Sequence, residues 1–176
     1  LGLLTLAALR HTCNVAAPII ATGKHSDQRR WAKEFGADRV VEPAELARAV
    51  RSETASLMIG SHLTGGAPTV IDCVGTESSL ADALRVVAPG GTVLVVGMPG
   101  HTSVDLTPLW HRESALRGCY AYTRPDFDDA LALSRALDLG RLVSATYPLR
   151  RYTDAIEHAA TAGSRGAVRV VFDLRS

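Results

Sequence analysis

Thr69-Val70-Ile71-Asp72-Cys73-Val74-Gly75, followed one helix later by Thr92-Val93-Leu94-Val95-Val96-Gly97, is the stretch that decides the fold of this 176-residue chain. Neither run alternates polar with apolar, so each predicts a strand covered on both faces. Between them Leu80, Ala83, Leu84 and Val87 recur at i, i+3, i+4 and i+7, the spacing of a helix with one apolar face. Pro89-Gly90-Gly91 reads as the end of that helix. Strand, helix and strand in this pattern predict a parallel sheet with helices on both faces, an α/β doubly wound architecture.

The same alternation extends in both directions. Upstream, Gly2 to about Thr12 is almost all Leu and Ala and predicts a helix covered on most sides. Pro18 to Thr22 reads as a short buried strand ending at Gly23. Ser26-Asp27 offers an N-cap and an acidic first turn for a helix bearing Trp31, Ala32 and Phe35, stopped by Gly36. Arg39 to Val41 is a further strand, and Pro43 stands where the helix around Glu45 to Val50 can begin. Residues 52–68 show no clear period. Downstream, Leu116 to Tyr122 reads as a strand, and Pro125-Asp126 opens a helix running to Gly140. Leu142 to Pro148 is extended, Tyr152 to about Thr161 is helical, and Val168 to Phe172 is a last strand that need not join the same sheet.

Composition narrows the function classes. The 19 basic and 18 acidic residues leave a formal net charge of +1, so there is no overall field to attract nucleic acid or an anionic membrane. A small ligand is expected instead. Cys13, Cys73 and Cys119 are odd in number and widely spaced with no CxxC pair, which speaks against a disulfide framework or a structural zinc cage and for a reducing, cytoplasmic setting. No apolar run approaches the ~18–20 residues of a membrane span.

Candidate chemistry gathers at strand ends. In a doubly wound fold, the first strand leads into a glycine-rich turn that holds a pyrophosphate at a helix N-terminus, and Gly2 stands where the last glycine of such a turn would be. At the end of the second strand an acidic residue binds an adenosine ribose, whereas Thr22-Gly23-Lys24-His25 has none. Two readings are open there: a solvated turn, or a site for a 2′-phosphate with Lys24 as one cation and Arg29 or Arg30 as a second. Gly75 and Gly97 close their strands at the carboxyl edge, where ligands of open α/β sheets bind. Asp72, inside an apolar strand, reads as a structural hydrogen-bonding group rather than a base. His111 and Glu113 read as ordinary surface in a Trp-His-Arg-Glu run rather than as metal ligands or catalytic groups. No Ser, Cys or Lys is paired with a base for nucleophilic catalysis. Arg150-Arg151 reads as a solvated helix start rather than a nucleic-acid patch.

Taken in order, several segments resemble the C-terminal half of the zinc-dependent medium-chain alcohol dehydrogenase family. They are Trp31 to Asp38, Val70 to Gly75, Ala88 to Val93, Val95-Val96-Gly97-Met98-Pro99-Gly100, and Gly166 to Asp173. The resemblance implies a Rossmann-type domain over 1–140 that lacks its first strand, then a segment over 141–176 returning to a catalytic domain. It also implies NADP, with NAD as the alternative, because Gly23 stands where NAD-preferring members have Asp and Lys24 follows. Val74 and Gly75 would lie near the cofactor ribose, and Val96, Gly97 and Met98 against the nicotinamide. Cys119 and Tyr120 would approach it from the next strand, and Arg169 would reach the pyrophosphate.

The family's zinc ligands and proton relay belong to an N-terminal catalytic domain, so no catalytic or metal-binding residue is assigned in this chain. Zinc is expected only in that domain. The implied activity is hydride transfer between a nicotinamide and a small alcohol or carbonyl substrate. The chain by itself is expected to be inactive. A zinc-free quinone or enoyl reductase of the same superfamily and a truncated nucleotide-binding module are the competing readings. The beginning at Leu1 reads as a cut just before the pyrophosphate-binding helix. In a 3-2-1-4-5-6 sheet this would leave two inner strands each without a partner on one side. A homo-oligomer, dimer or tetramer, is expected, pairing through a sheet edge around Thr102 to Leu106.

Overall fold

The computed structural model describes residues 1–60, 62–98 and 100–175; Pro99 of the Val95-to-Gly100 motif lies outside them. In chain order the elements are α1 (Gly2–His11), β1 (Ile20–Thr22), α2 (Ser26–Glu34), β2 (Arg39–Val41), α3 (Leu46–Glu53), β3 (Met58–Ile59) and β4 (His62–Leu63). They continue with β5 (Ala67–Asp72), α4 (Glu77–Val86), β6 (Val87–Val95), α5 (Thr107–His111), β7 (Ala115–Gly118), α6 (Arg124–Ala136), β8 (Val143–Pro148), α7 (Tyr152–Ala160) and β9 (Arg169–Asp173). The expected parallel sheet is β5-β6-β7, with both pairings parallel. β8 and β9 pair in parallel in a sheet of their own, as the terminal strand's separate character suggested. Among the described residues β1 has only β2 as a strand partner and β5 only β6.

The chain packs as two units, Leu1–Thr5 with Val41–Tyr122, and Leu6–Val40 with Thr123–Ser176. In the first, α4 forms because Thr76 caps it: its hydroxyl accepts from the Ser79 N–H, and its own N–H donates to Ser79 Oγ at 3.0 Å. The apolar face of α4 then meets the sheet in a core of Leu80, Ala83, Leu84, Val87, Val93 and Val95. Leu84 is 1% exposed, so truncating it to Ala costs about 2–5 kcal/mol.

The second unit is tied together by cations. On α2, Trp31 and Phe35 stack at 5.8 Å, and the Arg141 guanidinium lies 5.1 Å from the Trp31 ring centroid. Arg141 also pairs with Glu34 at the end of the same helix. Arg10, in the last turn of α1, donates to the carbonyls of Gly36 and Ala17 and pairs with Asp38. The Asp38 carboxylate in turn accepts the Ile19 N–H at 2.6 Å, just before β1. That backbone bond first, and Arg10 after it, hold the Asp38 pKa below the usual carboxylate value, although partial burial opposes the shift. On β8, Tyr147 Oη lies 3.0 Å from His158 Nδ1 of α7, fastening that helix to its sheet.

Several expectations are corrected. α1 buries Leu6 and Ala7 but leaves Leu1 and Leu4 exposed, so only one face is covered. β1 starts at Ile20 and is half-buried with Thr22 exposed, not a buried strand. His25, not Ser26, is the N-cap of α2; its N–H donates to Gln28 Oε1 at 3.3 Å. Pro89-Gly90-Gly91 does not end α4, which gives way to β6 at Val87. The tripeptide is looped out within β6, where the register passes from Ala67↔Val87 to Thr69↔Thr92. Gly90 has φ +70° and donates to the Arg112 carbonyl at 2.8 Å, a bulge geometry that spends the glycine inside the strand. The first strand of the sheet ends at Asp72 and β7 at Gly118, both earlier than expected. Thr102 to Leu106 is not a strand. Val104 turns onto the core, and Asp105 Oδ1 accepts the Thr107 N–H at 2.8 Å to begin α5.

Candidate cofactor-binding residues

The carboxyl edge of β5-β6-β7 is organised by Asp72, which is 6% exposed. Its Oδ1 accepts the N–H groups of Val74 and Gly75 at 2.8 and 3.1 Å, and its Oδ2 accepts Ser79 Oγ–H at 2.8 Å. Its carbonyl accepts the N–H groups of Val96 and Gly97 at 2.8 and 3.2 Å, so one residue fixes the exits of two adjacent strands. The structural reading of Asp72 therefore holds.

Those exits run so close that only glycine fits. A Cβ on Gly75, which has φ +75°, would lie 1.9 Å from the Gly97 carbonyl oxygen, and a Cβ on Gly97 would lie 2.3 Å from that of Cys73. The edge is thus lined by main chain, with Val74 and Met98 each 58% exposed beside it and Val96 half-buried. Cys119 follows β7; its N–H donates to the Val95 carbonyl at 2.9 Å, and its side chain and that of Tyr120 are exposed. Gly2 opens α1 within the same unit. A Cβ there would meet Cys73 Cβ at 3.5 Å, an ordinary contact, and Thr5 Oγ1 lies 3.5 Å from the Cys73 thiol. Burial pushes that thiol's pKa up.

In the second unit Gly23 and Lys24 form the turn from β1 to α2. Arg29 folds back over it, Nη1 donating to the carbonyls of Gly23 and Lys24 at 2.9 and 3.0 Å. Arg30 pairs with Asp27 at 3.2 Å, while Lys24 is exposed and has no ion pair among the described residues. Of the three cations considered from sequence, Lys24 is the one whose side chain has neither an ion pair nor a carbonyl contact among the described residues, and Arg29 shapes the turn. The turn at Gly163 to Gly166 comes in beside it: a Cβ on Gly163 would lie 2.3 Å from His25 Nε2, and one on Gly166 2.7 Å from Asp27 Oδ2. Nothing in the sequence singled out that approach. Arg169 is exposed at the start of β9.

No group of three or more His, Cys, Asp or Glu side chains among the described residues could hold a metal ion. His111 closes α5 and Glu113 follows at φ +51°, without such a cluster. No helix among the described residues is long and apolar enough to cross a membrane.

Residues 1–136 match the family model for zinc-binding dehydrogenases. The chain belongs to the zinc-binding dehydrogenase family. Among curated members it is 34% identical to sorbitol dehydrogenase of Mus musculus over 82% of this chain and 40% of that one. It is 29% identical to L-idonate 5-dehydrogenase of Vitis vinifera over 99% of this chain and 47% of that one. The chain therefore spans less than half the length of these relatives. In fold it is similar to a structure described as a short chain alcohol dehydrogenase from Escherichia coli CFT073 in complex with NADH, with a TM-score of 0.72 at 20% identity, covering 96% of this chain and 48% of that one. The family resemblance and the Rossmann-type α/β reading drawn from the sequence both stand.

Proposed function

We propose that this zinc-binding dehydrogenase chain is the nicotinamide-cofactor-binding part of an NADP-preferring alcohol or polyol dehydrogenase. The observation that carries the reading is the Gly75–Gly97 crossing at the carboxyl edge of the parallel sheet. It presents main-chain groups with exposed apolar Val74 and Met98 beside them, a surface suited to a flat, amphipathic ring. On this reading Val96, Gly97, Met98, Cys119 and Tyr120 serve the nicotinamide, and Val74 and Gly75 a ribose. Gly2 and Arg169 serve the pyrophosphate, and Gly23 with Lys24 serve an adenosine 2′-phosphate. The bound cofactor supplies the hydride; this chain's groups bind and orient it.

No cluster of His, Cys, Asp or Glu among the described residues fits zinc, so no zinc-dependent step is assigned to these residues. Residues 1–140 then constitute the cofactor domain and 141–176 a segment belonging with a catalytic domain. The substrate is a small alcohol or carbonyl compound, in keeping with the sorbitol and idonate dehydrogenases it resembles. A cytoplasmic homo-oligomer is part of the same proposal.

The preference for NADP rests on Gly23 and Lys24: neither position carries a carboxylate to repel a 2′-phosphate, Asp27 nearby is paired with Arg30, and the exposed ammonium has no competing ion pair among the described residues. The NADH in the fold relative makes NAD the competing outcome. Calorimetric titration of the chain with NADP and NAD tests it. Lys24→Ala should weaken NADP roughly tenfold, about 1.4 kcal/mol, and leave NAD nearly unchanged. Equal weakening of both, or tighter binding of NAD by the unsubstituted chain, defeats the assignment.

A further inference from the structure

Arg112 is a buried cation with no carboxylate beside it. It follows α5 and is 8% exposed, and its guanidinium donates to the carbonyls of Leu63 and Gly65. Its Nε meets no acceptor among the described residues. Burial alone lowers its pKa, with no acidic neighbour acting in the other direction. Carbonyl dipoles offset part of the desolvation of a guanidinium but not its charge, and a buried charge ordinarily finds a counter-ion.

A cavity of about 310 Å³ opens at this residue, walled by Ile59, Leu63 and Pro108 together with His62 and His111. Asp105 lines an adjoining cavity of about 190 Å³ that shares His62 and Pro108, and is not part of this one. The walls come from β3, β4 and α5, and Leu63 and Arg112 lie on the segments that enter β5 and β7. The cavity therefore opens at the amino-terminal edge of the β5-β6-β7 sheet, opposite the edge where Gly75 and Gly97 cross.

We propose that this cavity binds a small organic carboxylate, with its charge set against Arg112, His62 and His111 and its apolar body against Ile59, Leu63 and Pro108. An anion with an apolar body fits better than a bare phosphate, because walls of Ile, Leu and Pro cannot replace the water that phosphate would lose. The site is independent of the cofactor reading and shares no residue with it.

The test is a titration of the whole chain with benzoate, followed by backbone amide shifts and calorimetry, with inorganic phosphate as a second arm. Saturable shifts are expected at residues 59–64 and 108–112, with a Kd of about 1 mM and phosphate at least tenfold weaker. The double variant His62→Ala with His111→Ala removes exposed side chains and should weaken benzoate at least tenfold while leaving thermal unfolding unmoved. Arg112→Lys should lose less affinity than Arg112→Met; where those variants fail to fold, the histidine pair decides alone. Shifts that do not saturate or that fall at the carboxyl edge overturn the proposal. Phosphate binding as tightly as benzoate, or an unaltered affinity in the histidine variant, overturns it equally.

Discussion

The carboxyl edge of β5-β6-β7 and the turn from β1 to α2 are built by opposite means. At the first, main chain lies against main chain and a buried carboxylate fixes both strand exits, so geometry leaves no room for variation. At the second, an arginine clamps two carbonyls from outside and the residue facing solvent is a flexible lysine. The contrast suggests a division of labour. Shape is held where it cannot be exchanged, and an exposed side chain stands where it can change without disturbing the fold.

The strongest challenge to this contrast is Gly97→Ala. Its Cβ would sit 2.3 Å from the Cys73 carbonyl oxygen, backbone against backbone, so a loss of at least about 3 kcal/mol is expected in chemical denaturation. A variant as stable as the parent would show that the crossing can relax. Asp72→Ala comes next. It strips the acceptor from two N–H groups and a hydroxyl, and about 2–3 kcal/mol should disappear. Hydrogen exchange should quicken at Val74 and Gly75 before it does at β7, and uniform quickening would deny Asp72 its local role.

The unit that carries the β1–α2 turn should answer to acid, through Asp38 before β2. Because the pKa of Asp38 is lowered in the folded state, its contribution is present above the unfolded value of about 3.9 and is lost as pH falls through the lower folded value. Asp38→Asn should therefore flatten the fall in melting temperature below about pH 4, and parallel curves for parent and variant would remove Asp38 from the account. The smallest effect belongs to Gly2→Ala, whose Cβ would meet Cys73 at 3.5 Å, an ordinary contact, with a change within about 1 kcal/mol. A larger loss would place Gly2 with Gly75 and Gly97 as a position where only glycine fits.

What could be read from the sequence follows the range of the interactions. The runs at 69–74 and 92–96 declared parallel strands, but not the burial expected of them: β5 leaves Thr69 exposed with Val70 and Ile71 half-buried, and β6 alternates half-buried with buried from Thr92 to Val95, so cover on both faces is not what their apolar runs encode. The i, i+3, i+4 pattern at Leu80, Ala83 and Leu84 likewise declared α4. Pro89-Gly90-Gly91 misled, since a proline and glycines that stop a helix also suit a bulge, and only the partner strand decides between them. The hairpin of β3 and β4 left no period to find: each strand has two residues, and Met58 and Ile59 are exposed. Lys24 was legible as a cation at a strand end. The carbonyl clamp by Arg29 and the approach of Gly163 to His25 depend on distances that one sequence does not encode locally.

The seat of Cys73 under the start of α1 has a practical corollary in thiol chemistry. Cys13 and Cys119 stand exposed, whereas Cys73 is half-buried beside Gly2 and Thr5, and burial pushes its pKa up and disfavours the reactive thiolate. A maleimide at neutral pH should thus modify two of the three thiols quickly. The lag before the third reacts becomes an intrinsic clock for the lifting of α1 from the strand end that it covers.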